Sequence, residues 1–347
     1  MSRPVSSSTG ADDVRVNRLN SVSSAAAALT LLPTFALASE PLYVKNLSPI
    51  VGLIGLPSQR DAFATEPGRF AVALHGSVAS HYVNDREDDE FLNLDGETLR
   101  GALDLRWGIV ENLDVQLEIP WLDHSGGELD ELIDDWHDFW GMSDGGRSDV
   151  PRDLLDYRYL TPDGGFGLQE DASGLGDINL SLNYAFYRDE DAAASVAVGY
   201  KFGTGDEEDF TGSGEDDVWV AVRFSGRHLS DLPLSWHGHA GYLRAGESDL
   251  MEDFQEEDFW FAGLSMDWSF AANWSALVQV DAHAAPLKSD ITGVGDEAYI
   301  GTVGVRWRFA EHWSGDFSVV EDIGVETAPD VTFQFSVRYK PGAAVGD

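Results

Sequence analysis

Residues 99–121 read LRGALDLRWGIVENLDVQLEIPW and alternate between apolar and polar side chains on both sides of a short break at 110–112. The apolar side chains share one parity: Leu99, Leu103, Leu105, Trp107, Leu113, Val115, Leu117, Ile119 and Trp121. A period of two over this length predicts two long β-strands joined as a hairpin. Such a hairpin has one apolar and one charged face. A strand between lipid and a polar lumen has these two faces, and so does a strand of a soluble β-sandwich.

The same alternation recurs along the rest of the chain. About twelve segments show it, over residues 70–82, 99–110, 113–121, 177–186, 194–202, 218–225, 234–242, 260–268, 274–283, 299–309, 314–319 and 331–339. Most are close to the roughly ten residues that a tilted transmembrane strand needs. An even number of strands is also usual for a bacterial single-chain barrel.

The connections between these segments alternate between short and long. Tryptophans collect beside the short ones, which is where amphipathic rings lie at a membrane interface and which a soluble sandwich does not require. The sequence therefore predicts an all-β transmembrane antiparallel up-and-down β-barrel, with short turns in the periplasm and long loops outside. The predicted membrane-interface aromatics are Trp107, Trp121, Trp236, Trp268, Trp274, Trp307 and Trp313.

Residues 1–38 have the features of an export signal. Arg15 and Arg18 precede an apolar stretch that ends in Ala36-Leu37-Ala38, which predicts cleavage after Ala38. Together with the barrel, this signal predicts the outer membrane of a Gram-negative bacterium. The remaining domains are then an N-terminal periplasmic or plug segment (39–68), the barrel (69–340) and a C-terminal tail (341–347).

The longest connection is predicted to contain a short amphipathic helix. Its apolar side chains fall on one helical stripe, opposite a face of carboxylates: Leu129, Leu132, Ile133, Trp136 and Phe139. Gly141 follows, as at the C-terminus of many helices. The helix is expected to cap the barrel rim, and the alternative is a lid or plug that controls entry.

The net charge of -39 and the pI of about 4.2 make nucleic acid an unfavourable partner, since phosphate binding needs Lys and Arg. The chain has no Cys, which excludes disulfides, Cys-ligated zinc and thiol catalysis. Acidic runs in the long connections are expected to be solvated surface; divalent cations beside lipopolysaccharide and adaptation to high salt are the alternatives. No EF-hand spacing is present, so neither a cofactor nor a structural metal site is predicted.

Seven basic and seven acidic side chains lie on the parity expected to face the lumen, together with one histidine. They are Arg100, Asp104, Arg106, Asp114, Glu118, Asp177, Lys201, Arg223, Asp267, Asp281, His283, Arg306, Arg308, Asp316 and Arg338. Buried charges are costly unless they are paired. We therefore expect a lumen crossed by ion pairs, and not a wide aqueous pore.

Two hydrolase interpretations can be formulated from these residues, and both are weak. Asp281 and His283, with Asp114 and Glu118, offer the carboxylates and histidine of a water-activating site at an omptin-like barrel rim. His124 and the adjacent Ser125 superficially match an outer-membrane phospholipase, but they lack that enzyme's spacing. We therefore expect no enzymatic activity.

Four stretches together resemble a known family: NLSPIVGLIGLPS (46–58), LDGET (94–98), HSGGELDELIDDWHDFWGMSDGGR (124–147) and SGLGDINLSLNYAF (173–186). They are similar to the proteobacterial outer-membrane proteins grouped as domain of unknown function 3187. The resemblance covers nearly all of the chain after the leader. It implies an outer-membrane β-barrel, and it implies no activity and no functional residues.

The sequence thus predicts a monomeric barrel in contact with outer-membrane lipid and lipopolysaccharide. Its expected role is that of a restricted pore or uptake channel for a small or hydrophobic solute. The alternatives are a structural or surface-interaction barrel without transport and, less favoured, the rim hydrolase.

Overall fold

The computed structural model describes residues 39–127, 154–227, 229, 232–323 and 327–340. The export signal, the loop helix (Leu129, Leu132, Ile133, Trp136 and Phe139) and the C-terminal tail lie outside these residues. The helices in the described part are two 3-10 helices, Val51–Leu53 and Glu252–Phe254, and one α-helix, Thr292–Gly295. None of these helices is long and apolar enough to cross a bilayer.

In the part of the chain that the structure describes, fifteen strands form one antiparallel sheet. They are β1 (Phe70–Glu87), β2 (Glu90–Val110), β3 (Leu113–Ser125), β4 (Asp156–Thr161), β5 (Gly164–Leu168), β6 (Ala172–Leu175), β7 (Ile178–Arg188), β8 (Ala192–Phe202), β9 (Asp217–Gly226), β10 (Leu234–Arg244), β11 (Asp258–Ala271), β12 (Trp274–His283), β13 (Ala298–Ala310), β14 (Trp313–Asp322) and β15 (Val331–Tyr339).

Twelve of these strands, β1–β3 and β7–β15, close into a barrel. Each pairs with its neighbour among the twelve, and β1 completes the circle by pairing with both β2 and β15: Val72 lies opposite Leu105 on one side and Tyr339 on the other. The predicted up-and-down barrel of about twelve strands is therefore confirmed. The three short strands lie beyond it, where β4 pairs with the first residues of β2, β5 pairs with β4, and β6 pairs with β3.

The sequence interpretation was wrong about two connections. Residues 83–96 were expected to form a loop, but β1 and β2 continue through them to a turn at 88–89, where Asp88 adopts a φ of 47°. The other misread connection, 123–174, contains β4–β6. The reason is physical: 83–96 lacks the uninterrupted apolar parity that identified the other strands. Pairing between two backbones does not require that parity.

The outward face of the barrel is apolar. Leu264, in the middle of β11, is 68% exposed, and Val303 and Phe335 are each 60% exposed. Of the seven predicted interface tryptophans, Trp236 is half-buried and the others are exposed. Stacked pairs occur among them: Trp107 lies on Phe70 with 5.8 Å between ring centroids, and Trp274 lies on Trp307 with 5.7 Å. A face of this kind is expected to contact lipid.

Replacing Leu264 by Arg tests that expectation. A guanidinium near the bilayer midplane is expected to cost about 2 to 4 kcal/mol of unfolding free energy, whereas a water-exposed site tolerates it. The measurement is the urea midpoint of the barrel refolded in phospholipid vesicles. Leu232→Arg is the matched control, because Leu232 is also exposed but lies in the short turn before β10. Equal losses in the two variants would contradict a lipid-facing β11.

Candidate functional site

The interior of the barrel holds a second piece of the chain, residues 39–65, which we call the luminal hairpin. Its first limb begins beside His237, near the end of the barrel that carries the short turns. Its tip is the 3-10 helix Val51–Leu53, and the chain just after it contacts Asp217 near the end with the long loops. Its second limb returns to Asp114 near the short turns. Both limbs therefore run along the lumen.

The dimensions of the barrel explain why two limbs fit. Twelve strands about 4.8 Å apart and tilted by about 40° enclose a backbone diameter of about 24 Å. Inward side chains fill roughly half of this width, which leaves space for two extended chains side by side. The wall alone therefore leaves an opening, and the hairpin occupies it.

The hairpin is rich in Gly and Pro and forms no strand, so its backbone must find polar partners on the wall. The Leu42 amide donates to Oε1 of Gln279 at 3.0 Å, and the Ala62 amide donates to Oγ of Ser225 at 2.9 Å. At Gly55, a β-carbon would lie 3.0 Å from the Cβ of Lys201. Hairpin and wall are thus in close contact near the tip.

At the short-turn end, hairpin and wall share one continuous ion-pair network, which we call the short-turn network. The wall contributes Arg106, Arg306, Arg308, Arg338, Lys340, Asp104, Asp267 and Asp316, and the hairpin contributes Glu40 and Asp61. Arg306 lies between two wall carboxylates, with Nε 2.7 Å from Asp316 and Nη1 3.3 Å from Asp267.

A separate pair holds the second limb at the same end. Arg60 of the hairpin donates to Asp114, which is fully buried, and also to Oε1 of Gln116 at 3.3 Å. The Thr65 amide donates to the same Asp114 oxygen, Oδ2, at 2.6 Å. Asp114 therefore anchors the limb through both a side chain and the backbone.

Halfway along the lumen, the first limb packs against β1–β3. The Tyr43 ring stacks on His75 with a centroid distance of 3.8 Å, and Arg100 donates to its hydroxyl. Arg100 also donates to Glu118 at 2.7 Å, and Lys45 lies 3.5 Å from the same carboxylate. One wall carboxylate is thus shared between a wall cation and a hairpin cation.

At the long-loop end, Lys201 is buried and joins the wall to the tip. Its Nζ lies 2.9 Å from Asp177 and 3.2 Å from Asp217, and donates to the Leu53 carbonyl at 2.9 Å. Apolar side chains cover the tip on this side. The buried cluster comprises Ile50, Leu53, Val83, Leu92, Leu94, Tyr157, Tyr159, Phe166, Leu168, Phe210, Met251, Leu287, Ile291 and Val294.

The structure buries or half-buries the fifteen side chains predicted to face the lumen, and it does not assemble the hydrolase candidates into one site. His283 is hydrogen-bonded to Asn46, with 3.0 Å between Nε2 and Nδ2, while Asp281 accepts from Gln59 at 2.8 Å. Asp114 and Glu118 are engaged in the separate ion pairs described above. His124 hydrogen-bonds Thr98 and the Phe210 carbonyl.

Sequence reasoning missed the partners on the hairpin itself, above all Glu40, Tyr43, Lys45, Arg60 and Asp61. Charged side chains in an otherwise apolar, Gly- and Pro-rich stretch were the available signal. In the described ranges, no group of three or more His, Asp or Glu side chains is arranged to hold a metal ion.

Little open space remains beside the hairpin. A cavity of about 80 Å³ lies between its first limb and the wall, and its lining includes Asn46, His239 and Asp281. Since a water molecule occupies about 30 Å³ in the liquid, the cavity has room for a few waters. Within the described residues, this cavity does not offer space for a solute much larger than water.

A closed antiparallel barrel of 12 strands, apolar outside and charged inside, is the architecture of outer-membrane barrel proteins. The chain belongs to the family described as protein of unknown function (DUF3187), whose family model matches residues 20–341. No curated protein matches the chain significantly.

Solved outer-membrane channels align with most of this chain. The COG4313 outer membrane channel from Pseudomonas putida F1 has 14% sequence identity and a TM-score of 0.51, over 80% of this chain and 97% of that chain. The Ralstonia pickettii toluene transporter TbuX has 12% identity and a TM-score of 0.38, over 85% and 92%. A Pseudomonas aeruginosa FadL homologue has 9% identity and a TM-score of 0.38, over 78% and 89%.

Proposed function

We propose that this protein is an outer-membrane channel for a small solute, closed in the structure by the luminal hairpin. The observation that carries the proposal is the division of the lumen into a wide charged wall and a separate occluding segment. A barrel with a purely structural role can be built narrower, so that its own side chains fill the interior. Here the luminal hairpin closes the opening. The peptide chain joins it to β1 of the barrel at the short-turn end.

Passage of a larger solute requires the hairpin to move, because the cavity beside its first limb holds only a few waters. The contacts with the wall include many hydrogen bonds and ion pairs, and water entering an opened lumen can replace such contacts. The polar wall favours a polar solute. The buried apolar cluster over the tip is the feature that favours the alternative, a hydrophobic solute entering from the long-loop end.

A disulfide between hairpin and wall tests the proposal. In Gly55→Cys/Lys201→Cys, the two β-carbons start 3.0 Å apart, slightly below the roughly 3.5 to 4.5 Å of a disulfide, so a small shift allows the bond. The native chain has no Cys, so only this pair can form. In planar bilayers, the reduced protein is expected to show current steps, and oxidation should lower their frequency several-fold.

Gly55→Ser/Lys201→Ser is the matched control, since it loses the same lysine and cannot form the bond. Its current should not respond to the oxidant. Silent bilayers for the wild type and for the reduced variant would instead support a structural or surface-interaction barrel. Steps that persist unchanged after complete oxidation would show that solute passes without movement of the hairpin tip.

A further inference from the structure

The charges of the short-turn network balance only when the hairpin is in place. Its wall side chains carry five positive charges, on four arginines and Lys340, and three negative charges, on Asp104, Asp267 and Asp316. Glu40 and Asp61 of the hairpin supply the two negative charges that are missing. Without the hairpin, the wall side chains of this network therefore carry an excess of two positive charges.

Glu40 is held as a bound carboxylate ligand would be held. Its Oε1 is 3.1 Å from Nη1 of Arg106 and also accepts from Lys340, while its Oε2 is 3.2 Å from Nη1 of Arg338. Its own carbonyl accepts from Arg306 at 2.8 Å. The side chain is buried, so these donors replace its hydration shell. Guanidinium and ammonium groups arranged in this way form strong, directional hydrogen bonds to carboxylates.

We propose that these basic side chains form a binding site for the carboxylate of a small anionic solute, and that Glu40 occupies this site while the lumen is closed. The inference rests on the proposed function and adds a solute class to it. A solute carboxylate and Glu40 then compete for Arg106, Arg338 and Lys340. Binding of the solute releases the first limb of the hairpin.

The electrostatics of opening support this competition. When the hairpin leaves, the excess positive charge on the wall loses its partners in a partly desolvated lumen, which is unfavourable. An anion that enters at the same time restores the balance, whereas a cation increases the repulsion. Opening is therefore coupled to anions by the wall's own charge.

Chemical rescue of Glu40→Ala tests the site, with acetate as the probe. In sodium chloride, the melting temperature of the detergent-solubilised variant is expected to fall by several degrees. Sodium acetate at equal ionic strength should recover roughly half of that loss or more, because acetate binds only the vacated folded site. If Glu40→Ala does not fold, the acetate-dependent shift in melting temperature is measured in Glu40→Gln instead. This variant keeps the shape of the side chain and removes its charge.

Glu66→Ala is the matched control, because Glu66 follows the hairpin and lies outside the network. It and the wild type should show only the general effect of acetate. An acetate shift in Glu40→Ala no larger than in Glu66→Ala would overturn the site. Current steps without an acetate-specific shift would leave the channel proposal standing and remove this one. A specific shift in a protein that never conducts would remove the channel proposal, and with it the solute role of the site.

Discussion

Deletion of residues 39–65 is expected to raise the single-channel conductance of the reconstituted barrel at least about tenfold, because the hairpin fills an opening that the wall leaves free. The deletion ends before β1, so every strand pair of the barrel is retained. It also removes the tip contacts of Lys201 and both hairpin carboxylates of the short-turn network. The conductance should therefore become steady.

The measurement is conductance in planar bilayers, with liposome swelling in a neutral sugar as a second readout of pore size. Strand content by circular dichroism, and the mobility difference between heated and unheated protein in gels, control for an intact barrel. An intact barrel whose conductance equals that of the wild type would contradict the position of the hairpin in the lumen. This experiment tests closure, whereas the disulfide experiment tests whether the native hairpin moves.

The second large effect is expected for Asp114→Asn. It removes the charge that pairs with Arg60 in a buried position, and breaking a buried pair on one side typically costs about 3 to 5 kcal/mol. It also weakens the acceptor of the Thr65 amide. The free energy of unfolding should fall by this amount in urea titrations of the vesicle-bound protein.

Two further variants separate charge burial from general damage. Arg60→Met/Asp114→Asn removes both charges and should recover a large part of the loss, since Arg60 is no longer left as an unpaired cation. Asp258→Asn makes the same substitution in an exposed pair with Arg244 and should change the free energy by less than about 1 kcal/mol. Similar losses for Asp114→Asn and Asp258→Asn would contradict the buried anchor.

A part of the structure was predictable from the sequence where lipid on one side and the lumen on the other impose a repeating pattern on the residues. In β3, Asp114 and Glu118 alternate with an apolar parity, so the inner face of the strand follows from lipid on one side and polar lumen on the other. At residues 83–96 that constraint is absent, and the strand extensions were therefore read as a loop. The closed barrel was predictable because its pattern is repeated in strand after strand.

The contents of the lumen lacked such a signal. The hairpin has no period, and its partners are far away in sequence: Glu40 meets Lys340 and Arg338 across almost the whole chain. Complementary charge indicates that partners exist, but it does not say which ones, because several arginines satisfy the same carboxylate equally well. The predicted alternatives of a periplasmic or a plug segment could not be separated from the residues alone.

The pairing of β1 with β15 has a consequence for biogenesis. Val72 meets Tyr339 only after all intervening strands are in place, so this seam carries the largest loop-closure entropy of the barrel and is expected to seal last. Arg338 and Lys340 both hold Glu40. Arg338 belongs to β15, and Lys340 directly follows it. The first limb is thus fully held only once β1 has paired with β15. A chain that stalls before β15 lacks both this pairing and the two basic groups that hold Glu40.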